Sequence, residues 1–291
     1  MSAARVLLAG STGTLGRALV PALAAAGCRV VALTHPRSRA KLAPLARHLS
    51  EVREALVTEP HSLAGVCDGV DSVVSALGIT RQRDGLTPEA VDHQANLNLL
   101  REAQAAGVGH FAYVSVLGAG RPSGVPVIDA KHRFEQALRA GAPTWTIFRP
   151  SGFFTDLNDV LAMARRGRVW LIGRGEARIT PVDVHDLAAF IAAHLVSPGA
   201  VLEAGGPDTL TWNELARLCF EVVGGPRRIH HLPVGLWTAL TGVVRCFSPP
   251  LAGTMRFVAH VQTSDCTAPG IGRTRLHDHL ARVASQPAAA A

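Results

Sequence analysis

A doubly wound α/β fold, with helices on both faces of a parallel sheet, is predicted for this sequence by three observations. Short β-rich runs alternate with longer amphipathic stretches over the first 150 residues. Several of those stretches end in glycine, the usual C-terminal stop of a helix. After Pro150 the alternation gives way to loop, helix and short strands. The predicted organisation is a sheet domain over residues 1–150 and a small, mostly helical substrate lobe over 151–280. Residues 184–200 return to the sheet domain, and 281–291 form a frayed tail.

The strands are read in order. "RVLLAG" (5–10), "RVVALT" (29–34), "DSVVSALG" (71–78), "FAYVSV" (111–116) and "WTIFRP" (145–150) are apolar runs closed by Gly, Pro or polar residues. The third strand is the weakest in sequence and is placed in "REALVTEP" (53–60). "TLGRALVPALAAAG" and "DHQANLNLLREAQAAG" carry helical periodicity between them. Beyond Pro150, "VHDLAAFIAAHL" (184–195) is a helix with acids near its start, which suits the helix dipole. "TLTWNELARLCFEVVG" (209–224) opens with Thr211 and Glu214 at capping-box spacing. "LPVGLWTALTGVVRCFSPPLAG" (232–253) is the most apolar stretch; Arg245 and two prolines interrupt it, and it is read as a core or lid helix, with membrane-surface contact as the minority alternative.

At 291 residues, 48% hydrophobic and 18% charged, the chain is long and apolar enough for a sizeable core. Its formal charge of +7 favours anionic ligands. No Lys/Arg-rich run with interleaved aromatics is present, so nucleic acid is not an expected partner. Five cysteines, widely spaced, read as buried free thiols in a reducing cytoplasm. "MSAARVLLAGS" is too short and glycine-interrupted for a signal peptide, and no uncharged run reaches the length of a spanning helix. A cytoplasmic protein is therefore expected.

The chemistry begins at "VLLAGSTGTLGRALV". Gly10, Gly13 and Gly16 follow an apolar strand and precede a helix. Gly10 permits the tight turn, Gly13 admits a pyrophosphate close to the backbone, and Gly16 lets the helix approach the sheet. The loop Gly10, Ser11, Thr12, Gly13, Thr14, Leu15 and Gly16 thus predicts dinucleotide binding, with the helix N-terminus facing the phosphates. The second strand ends "ALTHPRSRAK", without the acid that would hold a free ribose 2′-hydroxyl. His35, Arg37, Arg39 and Lys41 stand there instead. NADPH is expected over NADH, with Arg37 gripping the 2′-phosphate.

These motifs, with "GVDSVVSALG", "ANLNLLREAQAAGVGHFAYVSVLGA", "AKHRFEQALRAGAPTWTIFRPSGFF" and "EAGGPDTLTWNELARL", resemble the Rossmann-fold atypical short-chain dehydrogenases/reductases, in the NmrA-like branch that includes the NADPH-binding accessory subunit of respiratory complex I. The resemblance spans roughly residues 5–280. It implies that Ala76, Leu77 and Gly78 pass along the adenine ribose and that Ser115 takes the position of the active-site Ser/Thr. It further implies that Lys131 bonds the nicotinamide ribose and that Pro150, Ser151, Gly152 and Phe153 approach the carboxamide. Phe153 and Phe154 would line the substrate side. A homodimer is a family-level expectation. Two departures stand out. Ala55 and Leu56 occupy the place of the family's Gly-Asp after the third strand, and Val127 occupies the place of the catalytic tyrosine, four residues before Lys131.

With that tyrosine absent, the proton donor is open. Lys131 could serve with a lowered pKa, could hold ribose only, or could pair with Glu135 at i+4. Asp129 and His132 flank it and Ser115 could donate a hydrogen bond, so these four are the catalytic candidates. Tyr113, the single tyrosine, falls in a buried strand and reads as a packing residue. Asp156 reads as a helix cap, and Asp183, His185 and Asp186 as a structural helix entry; no metal is expected. The reading is an NADPH-dependent oxidoreductase acting on a hydrophobic small molecule of polycyclic or enone- or quinone-like type. The alternatives are a non-catalytic NADPH-binding sensor or assembly subunit, and a non-redox cyclase, dehydratase or epimerase.

Overall fold

The computed structural model describes residues 3–79, 85–141, 144–224 and 227–286. In chain order its elements are β1 (Arg5–Ala9), α1 (Thr14–Ala25), β2 (Arg29–Thr34), β3 (Glu51–Glu54), β4 (Ser72–Ser75), α2 (Asn96–Ala105), β5 (His110–Val114), α3 (Pro126–Gly141) and β6 (Trp145–Pro150). There follow α4 (Asn158–Arg165), β7 (Arg168–Ile172), β8 (Arg178–Ile179), α5 (Val184–Ala193), β9 (Ala200–Ala204), β10 (Leu210–Thr211), α6 (Trp212–Val223) and β11 (Arg228–Leu232). The last three are α7 (Val234–Phe247), α8 (Pro249–Thr263) and α9 (Leu276–Ser285). Two compact units result: Met1–Arg149 with Leu187–Leu202, and Pro150–Asp186 with Glu203–Ala291.

The first unit is built on a seven-stranded sheet of order β3-β2-β1-β4-β5-β6-β9, whose last strand runs on into the second unit. β1 pairs in parallel with β2 on one side and β4 on the other, so the strand order reverses beside β1. Such a switch point opens a crevice at the carboxyl ends of the strands. The central strands are apolar throughout because helices cover both faces: Val6 to Ala9, Val30 to Leu33 and Phe111 to Ala112 are all buried. The core also holds Leu99, Tyr113, Phe134 and Ile147.

The third strand differs from expectation. It is Glu51–Glu54, not 53–60, and it lies at the sheet edge. Its charged sequence, "EVRE", hides it from an apolar-run search. An edge strand is protected by such charges, and here Glu51 pairs with both Arg53 and Arg5.

In the second unit a separate core gathers Leu157, Leu161, Leu171, Trp212, Leu215, Phe220 and Leu280. α6 carries the capping box read from sequence: Thr211 Oγ1 accepts from Glu214 N at 3.1 Å, and Thr211 N donates to Glu214 Oε2 at 2.7 Å. Two expectations are corrected. Residues 232–253 form no single core helix; Pro249 and Pro250 break them into α7 and the start of α8, and only Thr241 of α7 is buried. The expected tail from 281 begins inside α9, which runs to Ser285; the remainder from 287 lies outside the described residues. The thiols too are less uniform than expected, since Cys246 is exposed while Cys67 and Cys219 are buried. Burial pushes both of the latter up to about 12. Among the described residues no helix is long and apolar enough to cross a membrane.

Candidate dinucleotide and active site

The glycine loop closes on itself by Gly13 N donating to Gly10 O at 3.0 Å. Gly10 has φ +82°, and a Cβ there would lie 2.7 Å from Ala76 O. A Cβ on Gly16 would overlap the Gly10 carbonyl oxygen, so helix α1 can sit this close only with glycine at that position. Gly13 differs: its added Cβ meets only Gly10 O, at 3.3 Å, and it is exposed. As N-cap it offers no side-chain acceptor, and the first turn of α1 contains no acid. The helix start therefore presents unsatisfied N–H groups and an uncompensated positive dipole end, which suits a pyrophosphate.

Individual loop residues divide by role. Ser11 is fully buried and its Oγ donates to Leu33 O at 2.9 Å, so its side chain pins the loop to β2 and is not free to contact a ligand. Leu15 is core, leaving its backbone alone for the loop surface. Thr12 is partly buried and Thr14 is exposed. After β2, His35 Nδ1 accepts from Arg37 N at 3.0 Å and starts a 3₁₀ run over Pro36–His48. Arg39 is engaged by Glu54 at the end of β3, whereas the Arg37 side chain is exposed and has no acidic partner among the described residues.

Gly16→Ala and Gly13→Ala should separate packing from ligand binding. Gly16→Ala should destabilise the fold by about 1–3 kcal/mol, as overpacking does, and abolish measurable NADPH binding. Gly13→Ala should cost under about 1 kcal/mol yet weaken NADPH at least tenfold. Thermal melts and a nucleotide titration read both.

Next to the loop lies a buried charged cluster. Lys131, in the second turn of α3, is buried, and its Nζ lies 3.0 Å from Asp92 Oδ1, 3.4 Å from the Tyr113 hydroxyl and 3.4 Å from Val114 O. The approach to Oδ1 is an ion contact and not an aligned hydrogen bond. Asp92 Oδ2 accepts from Ile79 N at 3.3 Å. Burial alone would depress the lysine, but the Tyr113 hydroxyl and the Asp92 carboxylate hold its pKa above the ordinary value. Burial raises the Asp92 carboxyl, with Lys131 pulling it back. Burial likewise raises the Tyr113 phenol. The lowered lysine pKa considered from sequence is thus reversed, and the ammonium is permanently charged near neutrality. Gly78, exposed at the surface, forms the lid of this cluster: an added Cβ would lie 2.8 Å from Asp92 Oδ1 and 3.0 Å from Lys131 Nζ.

Asp92 reaches this position on a π-helical segment, Glu89–Ala95, which continues into α2. Asn96 Nδ2 donates to Val91 O and Asp92 O, both at 3.1 Å, and its Oδ1 accepts from Ser75 Oγ of β4. This satisfies carbonyls left open by the wider turn and ties the segment to the sheet.

A second buried network involves Glu135. It is 1% exposed and pairs not with Lys131 at i−4 but with Arg149 (Nη2–Oε2 2.6 Å, Nε–Oε1 3.0 Å). Ser115 Oγ donates to its Oε1 at 2.6 Å. Ser115 is thus a buried ligand of Glu135, which removes the free hydroxyl proton proposed from sequence. The flanking candidates are also engaged. Asp129 Oδ1 accepts from Ser123 N, Ser123 Oγ and Gly124 N, locking the loop before α3. His132 Nδ1 donates to Ala119 O at 2.7 Å. Val127 occupies the first turn of α3, half-buried and without chemistry of its own.

Within the second unit, Gly152 has φ +116° and its carbonyl accepts from Val182 N at 2.9 Å. Ser151 Oγ donates to Thr180 O. Phe153 is half-buried, but Phe154 is 1% exposed in the core, its ring 5.5 Å from that of His279, so it does not line an open surface. Asp156 caps as expected, accepting from Phe153 N at 3.3 Å. Asp183 Oδ1 accepts from His185 N and Asp186 N, and Asp186 Oδ2 from Arg273 N and Thr274 N, so these acids serve the backbone.

Strand order, glycine loop and uncapped helix together define a dinucleotide-binding protein of the doubly wound class. The profile of the NAD(P)H-binding family matches residues 10–198, and the chain belongs to that family. It is 30% identical over 249 residues to the photosystem II assembly factor Ycf39 of Synechocystis sp., covering 84% of this chain and 75% of that one. It is 29% identical over 267 residues to the chloroplastic divinyl chlorophyllide a 8-vinyl-reductase of Oryza sativa subsp. indica, covering 85% of this chain and 66%, just under two thirds, of the reductase. Among solved structures, AtPrR2 with NADP+ and (+)pinoresinol superposes with a TM-score of 0.78 at 21% identity, covering 97% of this chain and 99% of that one.

Proposed function

We propose that the protein is an NADPH-dependent reductase of a conjugated double bond or quinone-like system in a hydrophobic small molecule. The observation that carries this reading is the Lys131–Asp92–Tyr113 cluster, which offers a positive charge held by the lysine well above neutrality. The glycine loop would hold the pyrophosphate, Arg37 a 2′-phosphate, and Lys131 the nicotinamide ribose. NADPH, when bound, supplies a hydride. What remains for the chain is to stabilise the negative charge that hydride addition creates. In a simple ketone that charge sits on one alkoxide oxygen and calls for a strong acid at the Val127 position. In a conjugated acceptor it spreads over an enolate-like system, which a nearby ammonium can stabilise while water delivers the proton later. The vinyl reductase among the relatives supports this choice of acceptor.

The test is NADPH oxidation by the purified chain with enones, quinones and vinyl-bearing aromatics set against simple ketones. Conjugated acceptors should be turned over at least a hundredfold faster, with kcat not falling between about pH 6 and about pH 9 because Lys131 keeps its charge there. Ketones as the preferred substrates, or a clear acidic group in kcat, would overturn the reading. A second reading, an assembly subunit that keeps NADPH as a structural ligand, is favoured by the assembly-factor relative. It predicts bound, slowly exchanging NADPH with no turnover on any of these acceptors.

A further inference from the structure

We infer that the α7–α8 hairpin is a docking surface for an anionic lipid bilayer. Nine large hydrophobic side chains are exposed among the described residues, and six of them fall between Val234 and Leu251. Five lie on α7, and four of these are Leu236 (62%), Leu240 (49%), Val243 (58%) and Phe247 (85%). Their spacing is i, i+4, i+7, i+11, a single stripe down one helix face. The neighbouring stripe of α7 is the one packed on α8: Trp237 Nε1 donates to Met255 O at 3.0 Å, and Thr241 is buried. The apolar stripe is therefore not the inner face of the hairpin. Leu251, just past the break, is exposed too, and Phe247 stands where the chain turns into Pro249 and Pro250.

Charge selects the occupant. From Val222 through Ser264 the sequence contains no aspartate or glutamate, while Arg227, Arg228, Arg245 and Arg256 are all exposed. A second copy of the chain would bring identical arginines together across a two-fold axis, with no acid in the segment to pair them. A bilayer carrying anionic headgroups accepts both features, apolar side chains below the headgroups and arginines level with them. With 14 residues α7 is only about 21 Å long, too short to span the hydrocarbon core, so it lies along the surface.

The experiment is flotation of the full chain with vesicles of phosphatidylcholine, alone or mixed with phosphatidylglycerol, without nucleotide, so that its outcome is separate from the reductase reading. The chain should float with the anionic vesicles and bind neutral ones at least tenfold more weakly. The double variant Leu240→Glu/Phe247→Glu should lose at least tenfold in partitioning. Arg245→Gln/Arg256→Gln should lose more than tenfold, at about fivefold per arginine, and high salt should mimic it. Both should melt and bind NADPH as the parent does, since these side chains are exposed. A polarity-sensitive dye on Cys246, which is exposed beside Phe247, should shift its emission to the blue only with anionic vesicles. Absence of binding to anionic vesicles at low salt, an unchanged partition in the apolar variant, or a concentration-dependent dimer that this variant dissolves would each overturn the inference.

Discussion

Glu135→Ala lowers the unfolding free energy by about 3–5 kcal/mol, the usual result of stripping one partner from a buried ion pair. The carboxylate is 1% exposed and receives two hydrogen bonds from Arg149, one from Ser115 and a longer one from Arg139. Its removal leaves the Arg149 guanidinium, itself 11% exposed, without its buried counter-charge. Because the loss comes from breaking the pair on one side only and not from the pair's net worth, Glu135→Leu with Arg149→Met should cost less than Glu135→Ala alone. Ser115→Ala removes one charge-assisted bond and should cost about 1.5–3 kcal/mol. Urea denaturation with an unchanged slope is the measurement. The network ties α3 to β6, so it also sets where Lys131, one turn earlier, is held.

The second large effect is at Lys131. Lys131→Met should lower kcat for a conjugated acceptor by about 10²–10³, the usual loss when a preorganised charge stabiliser is removed. Lys131→Arg should not restore it, because the space beneath Gly78 admits an ammonium at 3.0 Å and leaves no width for a guanidinium. Asp92→Asn has a different signature. In the parent the lysine is held protonated by Tyr113 and Asp92 against burial. With the carboxylate gone, Tyr113 alone opposes burial and the lysine pKa falls. The charged form is then present below the new pKa and lost as pH rises through it, so the flat profile should gain a descending basic limb. A flat profile in Asp92→Asn would show that this ion pair does not set the charge of the lysine.

The sequence discloses the cofactor half of this arrangement better than the substrate half. β2 and β6 match their predicted runs, and the glycine loop is where its spacing puts it, because tight turns and buried parallel strands demand particular residues locally. Asp92 carries no such local mark. It lies 39 positions before Lys131 and meets it only because the sheet sets β4 beside β5. Tyr113 is buried as its alternation implies, yet the same side chain turns its hydroxyl to the ammonium. Spacing also suggests a Lys131–Glu135 pair that does not form, since i,i+4 permits contact without choosing a partner. Lys131 faces the loop after β4 and Glu135 faces β6.

The π-helical turn at Glu89–Ala95 makes the site depend on a count as well as on identities. A π turn accommodates an extra residue relative to an α-helical path. Deleting one residue between Asp92 and Asn96 would rewind it as ordinary helix and swing what lies upstream, Asp92 included, by about 100° around the axis. The aspartate would survive in the gene and vanish from the site. A history of this site's charge would then be written in insertions and deletions, and a comparison of relatives that scores substitutions alone would pass over the event that armed the lysine.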